Sequence, residues 1–324
     1  MKKILFILLL LPVLAKAQYC GPYTTASPIY YVGAHDMVIK SKSITGLGTW
    51  CIKLENCSNI TIKYCKLVNG LKPAIRLDHC HNITIDSNYI ANIASGLYAF
   101  RCDSNIRFRH NMILNIIGAA GYTHAAQMNE CNGPGNEISY NNIDIAIGDG
   151  DNPNPLIGDI LNLYKSNGTP ASPIKVYYNN IRGGGTATGT LGAAGIVAGD
   201  VGGSYQDVEY NKLVSTGYVG IQLQGGTYIT IKNNQIHSPS HPWSGVGLAS
   251  ANYSGAPSHH NVISDNIVNW KAGYLGMGRR DTSYKPGKGN NTCERPVGWK
   301  KNKIKTAMDE SILPAVLIPN CNVK

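Results

Sequence analysis

Charge is scarce in this chain. Charged side chains make up 15% of its 324 residues, against roughly 25% in an ordinary soluble domain, and the excess of 29 basic over 19 acidic groups is spread without blocks. No basic patch of the kind that grips nucleic acid stands out, so a nucleic-acid partner is not expected. Long apolar runs are also missing beyond the N-terminus, so no membrane span is expected. No Pro/Ser linker divides the sequence, and a single domain follows. Neither a Ser/His/Asp signature nor a metal-protease motif is present, and "RGGGTATG" and "GDVGGS" lack the spacing and context of a phosphate loop. What is abundant is Gly (36 residues), with Asn, Ser and Thr, a composition that suits strands and turns rather than helices.

The exception at the N-terminus is "MKKILFILLLLPVLAKAQ". Two lysines, a short apolar stretch and the small residues Ala15 and Ala17 read as a signal peptide cut after Ala17, and hence as export. Losing Lys2, Lys3 and Lys16 takes the formal charge from +10 to +7. Residues 18–324 then form the mature domain.

Repetition is the strongest signal. "DMVIKSKSI" (36–44), "NITIKYCKL" (59–67), "NITIDSNYI" (82–90) and "NIRFRHNMI" (105–113) recur every 23 residues. Apolar residues align as Met37/Ile60/Ile83/Ile106, Ile39/Ile62/Ile85/Phe108 and Ile44/Leu67/Ile90/Ile113. The slot two before the last of these holds Lys42, Cys65, Asn88 and Asn111, and continues as Asn141, Asn179, Asn211, Asn234, Asn266 and Asn302. Period-two alternation argues strand. The repeated Asn argues a tight bend using that residue's tolerance of unusual backbone angles and its local hydrogen bonding. Second runs such as "CIKL", "AIRL", "LYAF", "AAQM", "ILNLY" and "GIQLQ" supply another strand per repeat. About ten stacked coils, spanning roughly 30–305 with a cap after them, account for the pattern.

Departures from the 23-residue step mark insertions, which must leave the stack as loops. The largest contains "DGDNPNPLIGDILNLYKSNGTPASP". In "ILNLYK", Leu161 and Leu163 should point inward, Asn162 and Tyr164 outward, and Lys165 should stand where the strand turns. Equivalent outward positions give one row of Lys53, Arg76, Gln127 and Gln222, and a second of Glu55, Asp78, Arg101, Asn129 and Gln224. Coils stack about 4.8 Å apart, close to the advance per residue of an extended sugar chain, so Arg76, Arg101, Gln127, Asn162, Tyr164 and Gln222 form a candidate groove for an acidic polysaccharide. Outward polar residues on a sheet are also ordinarily just solvated. Asp149, Asp151, Asp159 and Asp200 are oxygen donors for calcium or an acid–base pair, with turn chemistry as the alternative. His124 is a further candidate base, without a recognisable partner in sequence.

Nine cysteines in an exported chain cannot all pair internally. Cys57, Cys80, Cys102 and Cys131 fall at or near one slot of successive coils and read as a buried thiol ladder. Cys20 with Cys51, and Cys293 with Cys321, are the better bridge candidates because solenoid ends need fastening.

The repeat resembles the right-handed parallel β-helix of the pectate-lyase-like superfamily, and its handedness is implied by that resemblance. "YKSNGTPASPIKVYYNNIRGGG" with "GDVGGSYQ" is similar to a group of secreted bacterial parallel β-helix proteins. A looser resemblance is to polysaccharide lyase family six, in which a Lys-Ser pair precedes a strand like "KVYYNN". It implies Lys165, followed by Ser166, as the base that removes the proton beside a uronate carboxylate. Arg182, or a calcium ion at Asp159, would neutralise that carboxylate. The glutamates that hold calcium in that family are not matched here, where only Asp159 and Asn162 are near, and Arg182 stands at a different distance. A non-catalytic carbohydrate-binding or adhesion protein would use the same groove without Lys165.

Overall fold

The computed structural model describes residues 21–118, 124–145, 158–184, 194–252, 255–276, 278–285 and 294–318. The signal-peptide stretch, Cys20, Asp149, Asp151, Cys293 and Cys321 lie outside these residues.

Each coil lays strands on three faces. Ile52–Glu55 lies on the first, Ser58–Lys63 on the second, and Lys66–Asp78 begins on the third and turns the corner onto the first face of the next coil. Almost every pairing between coils is parallel, and strands pair one coil apart rather than with their sequence neighbours. The fold is a parallel β-helix. Its registers follow the sequence repeat: Met37, Ile60, Ile83 and Ile106 are mutual partners on the second face. Ile44, Leu67, Ile90 and Ile113 are partners on the third. Inward apolar residues of all three faces form one continuous core from Ile39 to Trp270.

The asparagine column is a hydrogen-bonded ladder. Nδ2 of Asn88 donates to Oδ1 of Asn111 at 3.0 Å, and the same bond repeats through Asn141, Asn179, Asn211, Asn234 and Asn266 to Asn302 at 2.8–3.1 Å. Each Oδ1 also accepts the backbone N–H of the preceding ladder residue. One expectation needs correcting. The left-handed backbone conformation belongs not to these asparagines but to the residue before seven of the eight: Ser87, His110, Tyr140, Tyr178, Tyr210, Asn233 and Asp265, with φ of 52–59°. Asparagine is required at the bend for its amide, which satisfies buried backbone groups that the turning strand leaves without ladder partners.

Cys51, Cys57, Cys65, Cys80, Cys102 and Cys131 are buried free thiols. The ladder reading of Cys57, Cys80, Cys102 and Cys131 therefore holds, and Cys51 is a thiol whose pKa burial pushes up to about 12. The C-terminal residues fold back along the third face. There Leu313, Leu317 and Ile318 cover Val68, Tyr89, Ala91, Met112 and Val214. Among the described residues no helix is long and apolar enough to cross a membrane.

Candidate functional site

The first face carries the outward rows. Leu161 and Leu163 are fully buried, so the pleat sends Asn162 and Tyr164 the other way. The register runs Lys53, Arg76, Tyr98, Gln127, Asn162, Val197 and Gln222, which joins four of the expected groove residues in one row. Sequence reading missed Tyr98 and Val197, which occupy the places between.

Arg101 is not in the second row. That row is Glu55, Asp78, Phe100, Asn129, Tyr164 and Asp200. Arg101 stands one residue later, at a bend shared with Asn56, His79, Glu130 and Lys165, all with φ of 47–54°. Strand Tyr89–Phe100 ends there, so counting by sequence identity rather than by pleat misplaces the arginine by one residue.

Most cations of the stripe are already paired. Lys53 Nζ lies 3.0 Å from Glu55 and 3.7 Å from Asp78, Arg76 Nε lies 2.8 Å from Asp78, and Arg101 Nε lies 2.8 Å from Glu130. Tyr30 and Trp50 flank Lys53, and Tyr98 lies under Arg76. This end of the face is self-neutralised and aromatic.

The next strands are different. Asn162 Nδ2 donates to Oδ2 of Asp159 at 2.7 Å and to Oδ2 of Asp200 at 2.8 Å, while its Oδ1 accepts from Gln127 Nε2 at 3.2 Å. Asp159 Oδ1 accepts the N–H of Ala194 at 3.1 Å, and His124 Nδ1 lies 2.5 Å from the Asp159 carbonyl. Burial raises the pKa of Asp200 above the usual carboxylate range; Asn162 opposes the rise and the charge of Asp159 adds to it. Burial lowers the pKa of His124, against the pull of Asp159 and Asp200. A register slip between Asn162 and Tyr164 is what brings Asp200 opposite Tyr164 and within reach of the Asn162 amide. Residues 119–123, 146–157 and 185–193, outside the described residues, each come shortly before a strand of this group.

Lys165 is exposed at the bend, its N–H bonded to the Asp200 carbonyl at 2.9 Å and its amine 5.3 Å from the Tyr164 ring centroid. Ser166 is buried and structural: its Oγ accepts the N–H of Cys131, taking the thiol ladder's next place. Arg182 lies elsewhere. It sits on the third-face strand Asn180–Gly183, 3.5 Å from Asp144, and donates to the carbonyls of Pro314 and Ala315. The structure thus gives Lys165 the neighbourhood of Asp200 and gives Arg182 the C-terminal segment.

The calcium expectation at Asp159 does not fit this arrangement. Calcium takes six to eight oxygen ligands, whereas the space between the two carboxylates is filled by the NH2 of Asn162, whose oxygen is turned to Gln127. Among the described residues no group of three or more His, Cys, Asp or Glu could hold a metal ion.

A family model described as right handed beta helix region matches residues 23–143. The helix is right-handed. The match ends before Asp159, so the regular coils carry the family pattern and the carboxylate group lies beyond it. No curated protein and no solved structure matches the chain.

Proposed function

We propose that this exported β-helix protein cleaves a polysaccharide lying along the first face, with Asp159 and Asp200 as the reacting pair. The observation that carries this reading is the single Asn162 amide bonded to both carboxylates. Burial and the nearby charge of Asp159 favour a proton on Asp200. Asp200, whose pKa is raised, is the member that donates it to the departing glycosidic oxygen. Asp159 attacks the anomeric carbon as the nucleophile, because two carboxylate oxygens bonded to one nitrogen stand no more than about 5.5 Å apart; the ionised Asp200 then draws the proton from the water that releases the glycosyl group, and His124, held neutral by burial, fixes the Asp159 backbone. Tyr98, Tyr164, Gln127 and Gln222 line the path, and exposed Lys165 favours a sugar that carries a carboxylate.

A second reading is β-elimination with Lys165 as the base, favoured by its exposure beside the Asp200 strand. Incubation with polyuronates and neutral glycans separates the readings. Hydrolysis releases reducing ends without ultraviolet absorbance and is lost in Asp200→Asn. Elimination produces an absorbing unsaturated uronate and is lost in Lys165→Ala. Binding of glycan with neither product identifies a non-catalytic carbohydrate-binding protein and sinks both.

A further inference from the structure

Away from the first face, at the corner after the third-face strand Lys212–Val214, Ser215 Oγ and His241 Nε2 lie 3.1 Å apart. We propose that Ser215 and His241 form a second catalytic site, a serine–histidine pair that hydrolyses esters of small acyl groups.

The corner itself does not call for serine. Ser215 has φ of 56°, the left-handed conformation that Asn69, Asn92 and Asn115 adopt at the same register position with φ of 52–54°. Asparagine suits that backbone better than serine does; three earlier coils use it there, the two coils just before Ser215 carry Ile145 and Gly183, and the next carries Ser238. Serine at this place supplies a nucleophilic hydroxyl on a strained turn.

The histidine is brought to it and locked. Strand Gln235–His241 slips register against its neighbour between Ser238 and His241, which swings the imidazole back over the preceding coil. Trp243 stacks on the ring at 4.5 Å with an interplanar angle of 4°. Ser244 holds the same residue from both sides, accepting from the His241 N–H at 3.1 Å and donating to its carbonyl at 2.9 Å. Burial lowers the pKa of His241, against the pull of Glu310 and with the help of His237. The ring is therefore neutral near pH 7, and the tautomer with its proton on Nδ1 leaves Nε2 a lone pair for the serine proton.

A second observation points to an occupant. Trp243 Nε1, on the ring stacked against His241, is buried without a hydrogen-bond partner, and Trp243 is 4% exposed. Buried polar atoms of this kind are ordinarily satisfied by water or ligand. Ser215 is 2% exposed, so a small acyl group is favoured over a long one.

In the reaction, Ser215 Oγ adds to the ester carbonyl carbon as its proton moves to His241 Nε2. The carbonyl–alkoxy bond breaks, and the leaving alcohol takes that proton. Water, deprotonated by the same nitrogen, then hydrolyses the acyl-serine, releasing the carboxylic acid and restoring the hydroxyl.

The test uses the full chain with 4-nitrophenyl acetate, 4-nitrophenyl octanoate and a fluorophosphonate probe mapped by peptide mass. The wild type should label at Ser215 and hydrolyse the acetate in preference to the octanoate. Ser215→Asn, which installs the residue other coils carry at this corner, should abolish labelling and slow acetate hydrolysis by about 100-fold or more; His241→Gln should do the same. An unlabelled wild-type Ser215, or hydrolysis unchanged in Ser215→Asn, overturns the proposal and leaves the bond a corner fastening. Polysaccharide cleavage is read separately and is expected unchanged in both variants.

Discussion

Residues 36–113 and residues 124–200 build the same coil and use it in opposite ways. In the first stretch the step is 23 residues, and the outward cations Lys53, Arg76 and Arg109 each lie 2.8–3.0 Å from a carboxylate. On the first face of this stretch Lys53 and Arg76 are thus taken up by their own neighbours. In the second stretch, insertions precede three successive first-face strands, and the register slips. Two carboxylates meet on one amide, without an arginine or lysine within ion-pair distance of Asp159 or Asp200 among the described residues. The difference shows how a solenoid brings unlike groups into contact. A regular ladder aligns like with like and lets each coil neutralise its neighbour, whereas a change of length sets unlike residues side by side.

The hardest way to break the regular half is to charge its core. Ile83 is fully buried between Ile60 and Ile106. Ile83→Asp should cost more than about 4 kcal/mol, because a carboxylate would be buried without a partner. Urea unfolding followed by circular dichroism reads this, and a stable variant with an unchanged midpoint would refute the inward placement.

Next in size is the ladder that both halves share. Asn141 accepts from Asn111, donates to Asn179 and to the Phe108 carbonyl, and is fully buried. Asn141→Ala should cost about 2–4 kcal/mol, since several buried groups lose partners at once. A cost near that of an exposed Asn→Ala change, within about 0.5 kcal/mol, would mean that water replaces the amide.

The fold was legible because the period is a physical constraint: Ile60, Ile83 and Ile106 must share a column if the strands are to stack. The ladder was legible for the same reason, although its backbone role was misassigned, because sequence shows which residue repeats and not which one takes positive φ. The site was legible only in part. Asp159, Asn162 and Asp200 were visible as candidates, but their meeting depends on a register slip that spacing does not encode. Arg182 was placed with Lys165 by resemblance; the coil sends its strand to a different face. His241 and Ser215, separated by a full coil and a bulge, leave no local motif at all.

The smallest effect sharpens the comparison through two carboxylates whose pKa values move in opposite directions. At Asp86, burial would raise the pKa, but His110, Ser87 and Arg109 outweigh it and hold the group well below the usual carboxylate range. Its folded state binds protons less readily than the unfolded chain, so its stabilisation is present above pH 3.8 and is lost as pH falls through the depressed value. Asp200 is shifted upward, chiefly by burial. Its favourable contribution is complete below pH 3.8 and fades as pH rises through the raised value. Asp86→Asn should therefore be less stable than wild type by about 1 kcal/mol at pH 7, a deficit that begins to shrink only below pH 3.8 and closes as pH falls through the depressed value. Asp200→Asn should differ least from wild type in acid and gain on it as pH rises, while losing cleavage by about 100-fold or more. Unfolding midpoints of the three proteins measured from about pH 2 to pH 8 test the pair together. Two variants whose offsets from wild type change in the same direction with pH would show that the two halves do not hold their carboxylates in opposite ways.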